Sequence, residues 1–138
     1  MKTQEAINDF IHSRIAGDRS PLTIQWYQQR LGTFARACPT LPKRPEPIET
    51  YLASLNCSPA ERLNQFNALR AFYRFLRKRH RLPNPMDLID PPHGEDKNGA
   101  TLEAEELWKL LSSVTTLRDK AVLTLLVDTG IRSSELAG

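Results

Sequence analysis

Little in this 138-residue sequence suits a metal, a disulfide framework or a membrane. It has two cysteines, Cys38 and Cys57, and three histidines, His12, His80 and His93. These lie too far apart in sequence for zinc-ligand spacing. In a reducing compartment the two thiols stay free, so neither a disulfide nor a zinc site is expected. Apolar residues make up 40% of the chain, yet no apolar run approaches the roughly 20 residues that a membrane span needs. The opening MKTQEAINDF has no apolar core of an export signal. A cytoplasmic protein without a membrane partner is the expectation. Strand-like alternation is also missing from the first 82 residues, which points to helices throughout.

Negative charge is scarce in one place. The formal net charge is only +3, but residues 1–98 hold 15 Lys and Arg against 10 Asp and Glu, while residues 99–138 hold 4 against 6. Between Glu61 and Arg81 there are seven basic residues and one acidic residue. An excess of one sign on one segment points to a polyanion partner for the front of the chain.

Taken in order, a first helix is predicted over Thr3–Ala16, where Ala6, Ile7, Phe10, Ile11 and Ile15 recur every three or four residues. Gly17 ends it. Ser20 as cap and Pro21 at the first helical position start a second helix reaching about Ala37. Its apolar side carries Ile24, Tyr27, Leu31, Phe34 and Cys38. The stretch PTLPKRPEP, residues 39–47, has four prolines in nine residues and is predicted to be non-helical. A short helix carrying Ile48, Tyr51, Leu52 and Leu55 follows. Ser58 and Pro59 repeat the cap-then-proline device, and Glu61 stands where a capping box would place it.

The fourth helix is predicted to run to about Arg81. Phe66, Leu69, Phe72, Tyr73 and Leu76 gather on one face, at core spacing, and read as packing rather than as platforms for bases. Arg70, Arg74, Arg77, Lys78 and Arg81 fall at i, i+4, i+7, i+8 and i+11, a stripe on another face. A merely solvated face mixes charges of both signs. This one hardly does, so these five residues are the candidate nucleic-acid contacts.

Residues 1–82 thus form a small helical domain, and residues 83–100, with Pro83, Pro85, Pro91 and Pro92, a proline-rich linker. Thr101 is the expected cap of the next helix, with Glu103, Glu105 and Glu106 in its first turn and Leu102, Leu107, Leu110 and Leu111 on its apolar face. A turn through Thr115 and Thr116 leads to RDKAVLTLLVDTGIRSSELAG. Ala121, Val122, Leu123, Leu125, Leu126 and Val127 make its helix apolar on nearly every side, as suits the interior of a larger body. Gly130 is the expected left-handed stop, and Arg132 follows at the mouth of a new helix. The 38 residues from 101 to 138 are too few for an independent domain. They are expected to be the front of one whose remainder, with most of the companions of Arg132, is not in this sequence. Taken alone, Arg132 reads as a surface arginine paired with Glu135 at i, i+3.

Two stretches resemble the tyrosine recombinases, or phage-type integrases. NALRAFYRFLRKRHRLPNPM is similar to the last helix and exit of that family's core-binding domain. TLEAEELWKLL, followed by RDKAVLTLLVDTGIRSSELAG, is similar to the opening of its catalytic domain, with a TG-x-R-x-x-E-L pattern at Gly130, Arg132, Glu135 and Leu136. The resemblance implies an all-α arrangement: a four-helix, SAM-like core-binding domain, a linker, then the first helices of a truncated catalytic domain. It implies site-specific DNA recombination or integration through a tyrosine that attacks the scissile phosphate and leaves a 3′-phosphotyrosine, without ATP or metal. Arg132 matches the first of the family's two catalytic arginines, which stabilise charge on the phosphate in the transition state.

The resemblance also implies double-stranded DNA as partner, held in a C-shaped clamp, no small-molecule substrate, and a homo-oligomer, a tetramer, working on two duplexes. The family's later lysine, His-x-x-Arg box, further His or Trp, and nucleophile have no counterpart in these residues. Tyr27, Tyr51 and Tyr73 all fall in the first domain at core spacing. These 138 residues are therefore expected to bind DNA at most and not to cleave it. Two other readings stay open: a non-catalytic DNA-binding module and a helical protein–protein adaptor.

Overall fold

A computed structural model describes residues 1–94 and 102–137. All secondary structure named along it is helical: α1 (Thr3–Ala16), α2 (Pro21–Ala37), α3 (Pro45–Ser54), α4 (Pro59–His80), a 3-10 turn (Pro85–Leu88), α5 (Ala104–Ser113), α6 (Leu117–Thr129) and α7 (Ser133–Leu136). The chain divides into two units, Met1–Glu95 and Asp96–Gly138. Among the described residues no helix is long and apolar enough to cross a membrane.

In the first unit α4 packs against α1, α2, α3 and the 3-10 turn. The core is aromatic at its centre, as the spacing predicts. Phe10, fully buried, meets Tyr27, Phe72 and Phe75 edge-on at 5.0, 5.7 and 5.4 Å between ring centres. Such pairs add about 0.5–1.5 kcal/mol each beyond the area they bury. Gln65 and Tyr73, two polar side chains inside this core, are partnered, as burial requires. Gln65 Nε2, on α4, donates to the Arg30 carbonyl (2.7 Å), to Thr33 Oγ1 (3.1 Å) and to the Tyr51 hydroxyl. The Tyr73 hydroxyl donates to the Pro42 carbonyl at 2.9 Å. Burial pushes the Tyr73 hydroxyl well above the usual phenol range and raises Tyr51 as well. Burial likewise pushes the Cys38 thiol up.

Helix boundaries follow local chemistry, with four departures from the sequence reading. Ser20 Oγ accepts from Thr23 N at 3.3 Å and Ser58 Oγ from Glu61 N at 3.2 Å, so both predicted caps form. The helix expected after residue 47 begins earlier, at Pro45, and takes in Pro47. The first-turn N–H groups of a helix have no intrahelical acceptor, so a proline loses nothing there.

The second departure concerns Glu61, whose carboxylate does not turn back to complete a capping box. It accepts from Arg30 Nη2 of α2 at 2.9 Å. Arg30 is nearly buried, with its guanidinium 4.4 Å over the Trp26 ring, and a buried cation needs its counter-charge more than an exposed helix start needs a second cap.

The third departure is in the stretch expected to be a linker, residues 83–100, whose front belongs to the first unit. Pro85–Leu88 forms the 3-10 turn, with Met86 and Ile89 buried in the core. Proline-rich sequence does not stay extended where its apolar residues find a surface to cover. Residues 95–101, Thr101 among them, lie outside the described residues. Fourth, α5 is capped by Glu103, whose N–H donates to Glu106 Oε2 at 3.1 Å in a capping box of two glutamates.

In the second unit, Thr116 Oγ1 accepts from Asp119 N at 3.2 Å and starts α6. Gly130 ends it at φ +62°, with its N–H on the Leu126 carbonyl at 3.0 Å. This is the left-handed stop that the sequence predicts. No residue of α5 or α6 is buried. Trp108, Leu110, Leu117, Leu125 and Val127 are exposed, so no described residue covers them. The all-round apolar character of α6 is not used within these residues.

Candidate functional site

All five residues of the predicted stripe are exposed. On a helical wheel of 3.6 residues per turn, Arg70, Arg74, Arg77 and Lys78 span an arc of about 100°, turned away from Phe72, Leu69 and Leu76. The other two basic residues at the end of α4, Arg79 and His80, face elsewhere. Arg79 Nε lies 3.4 Å and His80 Nε2 2.6 Å from Asp9 Oδ2 on α1, so this pair ties two helices together. Within the stripe, Arg77 Nη1 donates to Asp87 Oδ2 of the 3-10 turn at 2.9 Å, and Asn84 Nδ2 donates to the other oxygen of that carboxylate at 2.7 Å. Both partners of the Arg77 pair remain well exposed, at 64% and 56%, so its strength is that of a surface pair, about 0–1 kcal/mol. Among the described residues, Arg70, Arg74, Lys78 and Arg81 form no ion pair.

A local role accounts for only part of this charge. Arg77 and Lys78 sit in the last turn of α4, where a cation gains from the helix dipole; that gain fades beyond one turn. Arg70 and Arg74 stand farther from the C-terminus and draw little from it. Arg81 is costlier still. It caps α4 in the left-handed region, at φ 53° and ψ 29°, where glycine is favoured and another residue costs about 1 kcal/mol. Arg81→Gly is expected to relieve that strain, while the freer unfolded chain takes part of the gain back. The net effect is a stabilisation of about 0.5 kcal/mol, read as a higher urea midpoint. A lower midpoint would mean that the arginine side chain itself supports the fold.

Arg132 stands at the start of α7. Its N–H donates to Glu135 Oε2 at 2.8 Å, and its carbonyl accepts from Glu135 N at 2.9 Å and Leu136 N at 3.1 Å. Glu135 thus holds the main chain of Arg132, not its guanidinium, and the expected surface ion pair between the two does not form. The side chain is exposed and has no ion-pair partner among the described residues. Asp119 contributes its N–H to the α6 cap, and its carboxylate forms no ion pair among the described residues. The i, i+3 spacing of Arg132 and Glu135 fits a cap as well as a side-chain pair, and the structure selects the cap.

No family model matches the chain. Among curated proteins, tyrosine recombinase XerD of Lacticaseibacillus casei is 34% identical over 146 residues, covering 96% of this chain and 50% of that protein. Tyrosine recombinase XerC of Myxococcus xanthus is 33% identical over 99 residues, covering 66% of this chain and 33% of that protein. Among solved structures, the integrase from mycobacterium phage Brujita superposes with a TM-score of 0.60 at 26% identity, covering 91% of this chain and 45% of that one. This chain belongs to the tyrosine recombinase family. It spans about half the length of its XerD relative.

The three tyrosines of this recombinase chain all lie in or against the core of the first unit. Tyr73 is buried and bonded to Pro42, and Tyr51 is buried against Thr33 and Gln65. Tyr27 stacks edge-on against Phe10 and Trp26. At Tyr73 a phenol kept neutral by burial, with its hydroxyl already donating, is a poor nucleophile.

Proposed function

We propose that this chain is the DNA-binding front of an enzyme that cuts and rejoins duplex DNA at specific sites. In this reading the first unit holds double-stranded DNA through Arg70, Arg74, Arg77, Lys78 and Arg81. The observation that carries the reading is the line of exposed cations on α4. Four of the five lack an ion-pair partner among the described residues, and two lie beyond the reach of the helix dipole. Membership of the tyrosine recombinase family supports it.

Arg132 takes the role of a phosphate clamp in the second unit. When a tyrosine hydroxyl attacks the scissile phosphorus, an O–P bond forms as the bond to the 5′-oxygen breaks, and negative charge builds on the non-bridging oxygens. A planar guanidinium that is always charged, on a main chain fixed at three points, suits that charge. The nucleophile comes from outside these 138 residues, because Tyr27, Tyr51 and Tyr73 serve the core. Alone, the chain binds and does not cleave. The whole enzyme acts in the cytoplasm as a homo-oligomer on DNA, with no metal or cofactor.

Fluorescence anisotropy with a labelled duplex at two salt concentrations tests the binding. If four cations each neutralise one phosphate, raising salt from about 50 to about 200 mM lowers affinity roughly a hundredfold. Binding that ignores salt, or no binding at all, would exclude the stripe as a DNA face and favour a helical adaptor.

A further inference from the structure

We propose that Lys43 and Arg44, on the loop between α2 and α3, form a second phosphate-contacting arm beside the α4 stripe. The proposal rests on the DNA-binding reading above and extends it to a segment that the charge pattern of α4 does not reveal.

The two cations sit where local structure disfavours them. Arg44 is the N-cap of α3, its side chain makes no capping bond, and Lys43 precedes it. A helix N-terminus carries partial positive charge, so cations there lose stability, and arginine is not among the residues that cap well. Both are exposed, and neither forms an ion pair among the described residues, although Glu46 and Glu49 follow on α3. Residues that break a local rule without a local gain mark functional positions.

The loop that carries them is held firmly. Leu41 is buried, and its N–H donates to the Met1 carbonyl at 3.4 Å. The Thr3 hydroxyl donates to the Cys38 carbonyl, and Thr3 N donates to the Pro39 carbonyl at 3.0 Å. An isolated bridge joins Lys2 to Thr40. Pro39, Pro42 and Pro45 restrict the chain between these points. Cations on a rigid support lose less entropy when they bind.

The last anchor places the loop beside the stripe. The Tyr73 hydroxyl reaches the Pro42 carbonyl at 2.9 Å, and Tyr73 lies one helical turn from both Arg70 and Arg77. Lys43 therefore leaves the loop one residue from the point where it touches α4. A helix with its side chains is about 10–12 Å across. A loop packed on its flank thus sets Lys43 and Arg44 to one side of the stripe, on the flank that Tyr73 occupies. Tyr73 acts as a positioning residue. Its ring would pack as well without the hydroxyl, and the hydroxyl serves the loop.

The test uses the 138-residue chain and a labelled duplex in salt-dependent anisotropy. Lys43→Ala with Arg44→Ala is expected to lower affinity at least about tenfold and to flatten the log K against log salt slope by about 2, with thermal stability unchanged or higher. Tyr73→Phe, with the fold checked by circular dichroism, should lower affinity by a smaller factor and add nothing once Lys43 and Arg44 are alanine. A structural role alone would not produce that non-additivity. The loop proposal is overturned if the Lys43/Arg44 variant binds with the parent's affinity and slope while Arg74→Glu with Lys78→Glu does not bind. Absence of binding by the parent chain overturns the loop proposal and the DNA-binding reading together.

Discussion

Arg74→Glu combined with Lys78→Glu is expected to weaken duplex binding about a hundredfold at moderate salt and to leave the fold intact. Both side chains are exposed and neither has an ion-pair partner among the described residues, so the folded state loses only the favourable placement of Lys78 at the helix C-terminus and gains a like-charge pair at i, i+4. Together these cost about 1–2 kcal/mol, too little to unfold a domain of ordinary stability. Binding loses two phosphate contacts, and two carboxylates then face the backbone, a juxtaposition of like charges that costs several kcal/mol. This pair is a cleaner choice than Arg77, whose reversal would also set two carboxylates against each other at Asp87 and loosen the 3-10 turn. Arg19→Glu, at an equally exposed position in the turn between α1 and α2, is the control. It removes two units of charge, half the change in the double variant, and lies off the stripe. With a screening length of about 10 Å at 0.1 M salt, its effect should stay below roughly threefold. Equal losses in the two variants would reduce the stripe to a share of the net charge.

The same contrast between local and distant interactions separates what the sequence discloses from what it hides. Periodicity and caps are local, and α1 and α2 run over the predicted residues, Thr3–Ala16 and Pro21–Ala37. The stripe and the Gly130 stop are local too, set by helical spacing and by one residue's tolerance of positive φ. The partners of charged side chains are different, because they depend on what the fold brings near. Glu61 has the spacing of a capping box, but folding sets Arg30 beside it, 31 residues away. Arg77 looks identical to Arg74 in sequence until the 3-10 turn folds back and offers Asp87. The buried placement of Met86 and Ile89 is equally non-local, since prolines around them read as a linker when no neighbouring surface is in view. At Arg132 the limit is of another kind. Its i, i+3 relation to Glu135 suits both a side-chain pair and a backbone cap, and only the geometry of the α7 start selects the cap. The Lys43–Arg44 loop was invisible because its relation to α4 runs through one tyrosine hydroxyl, 31 residues on.

Phe10→Ala is expected to cost the first unit about 3–5 kcal/mol, the range for a large aromatic removed from a packed core. Phe10 has no exposed surface and joins α1 to α2 and α4 through Tyr27, Phe72 and Phe75. The Arg14 guanidinium lies 4.7 Å over its outer face, so truncation would also strip a cation of its aromatic support. The neighbours cannot close the gap easily. Phe72 is held by its own contact with Tyr73, and Tyr73 is held by Pro42. A domain of this size has a total stability of about 5–15 kcal/mol, so the variant gives up a large share of it. The melting temperature of the first unit should fall by some 15–30 °C, on the scale of about 4–8 °C per kcal/mol for a domain of 60–100 residues. Phe10→Leu keeps most of the volume and should lose less than half as much. The contrast with the stripe variants is the useful readout: Phe10→Ala should lower stability first and DNA affinity only as the unit unfolds. Arg74→Glu with Lys78→Glu should lower affinity about a hundredfold in a domain that stays folded and whose melt falls much less than that of Phe10→Ala. If Phe10→Ala shifts the melt by only a few degrees, the aromatic cluster is not the centre of the core, and the frame that aims α4 outward rests on other contacts.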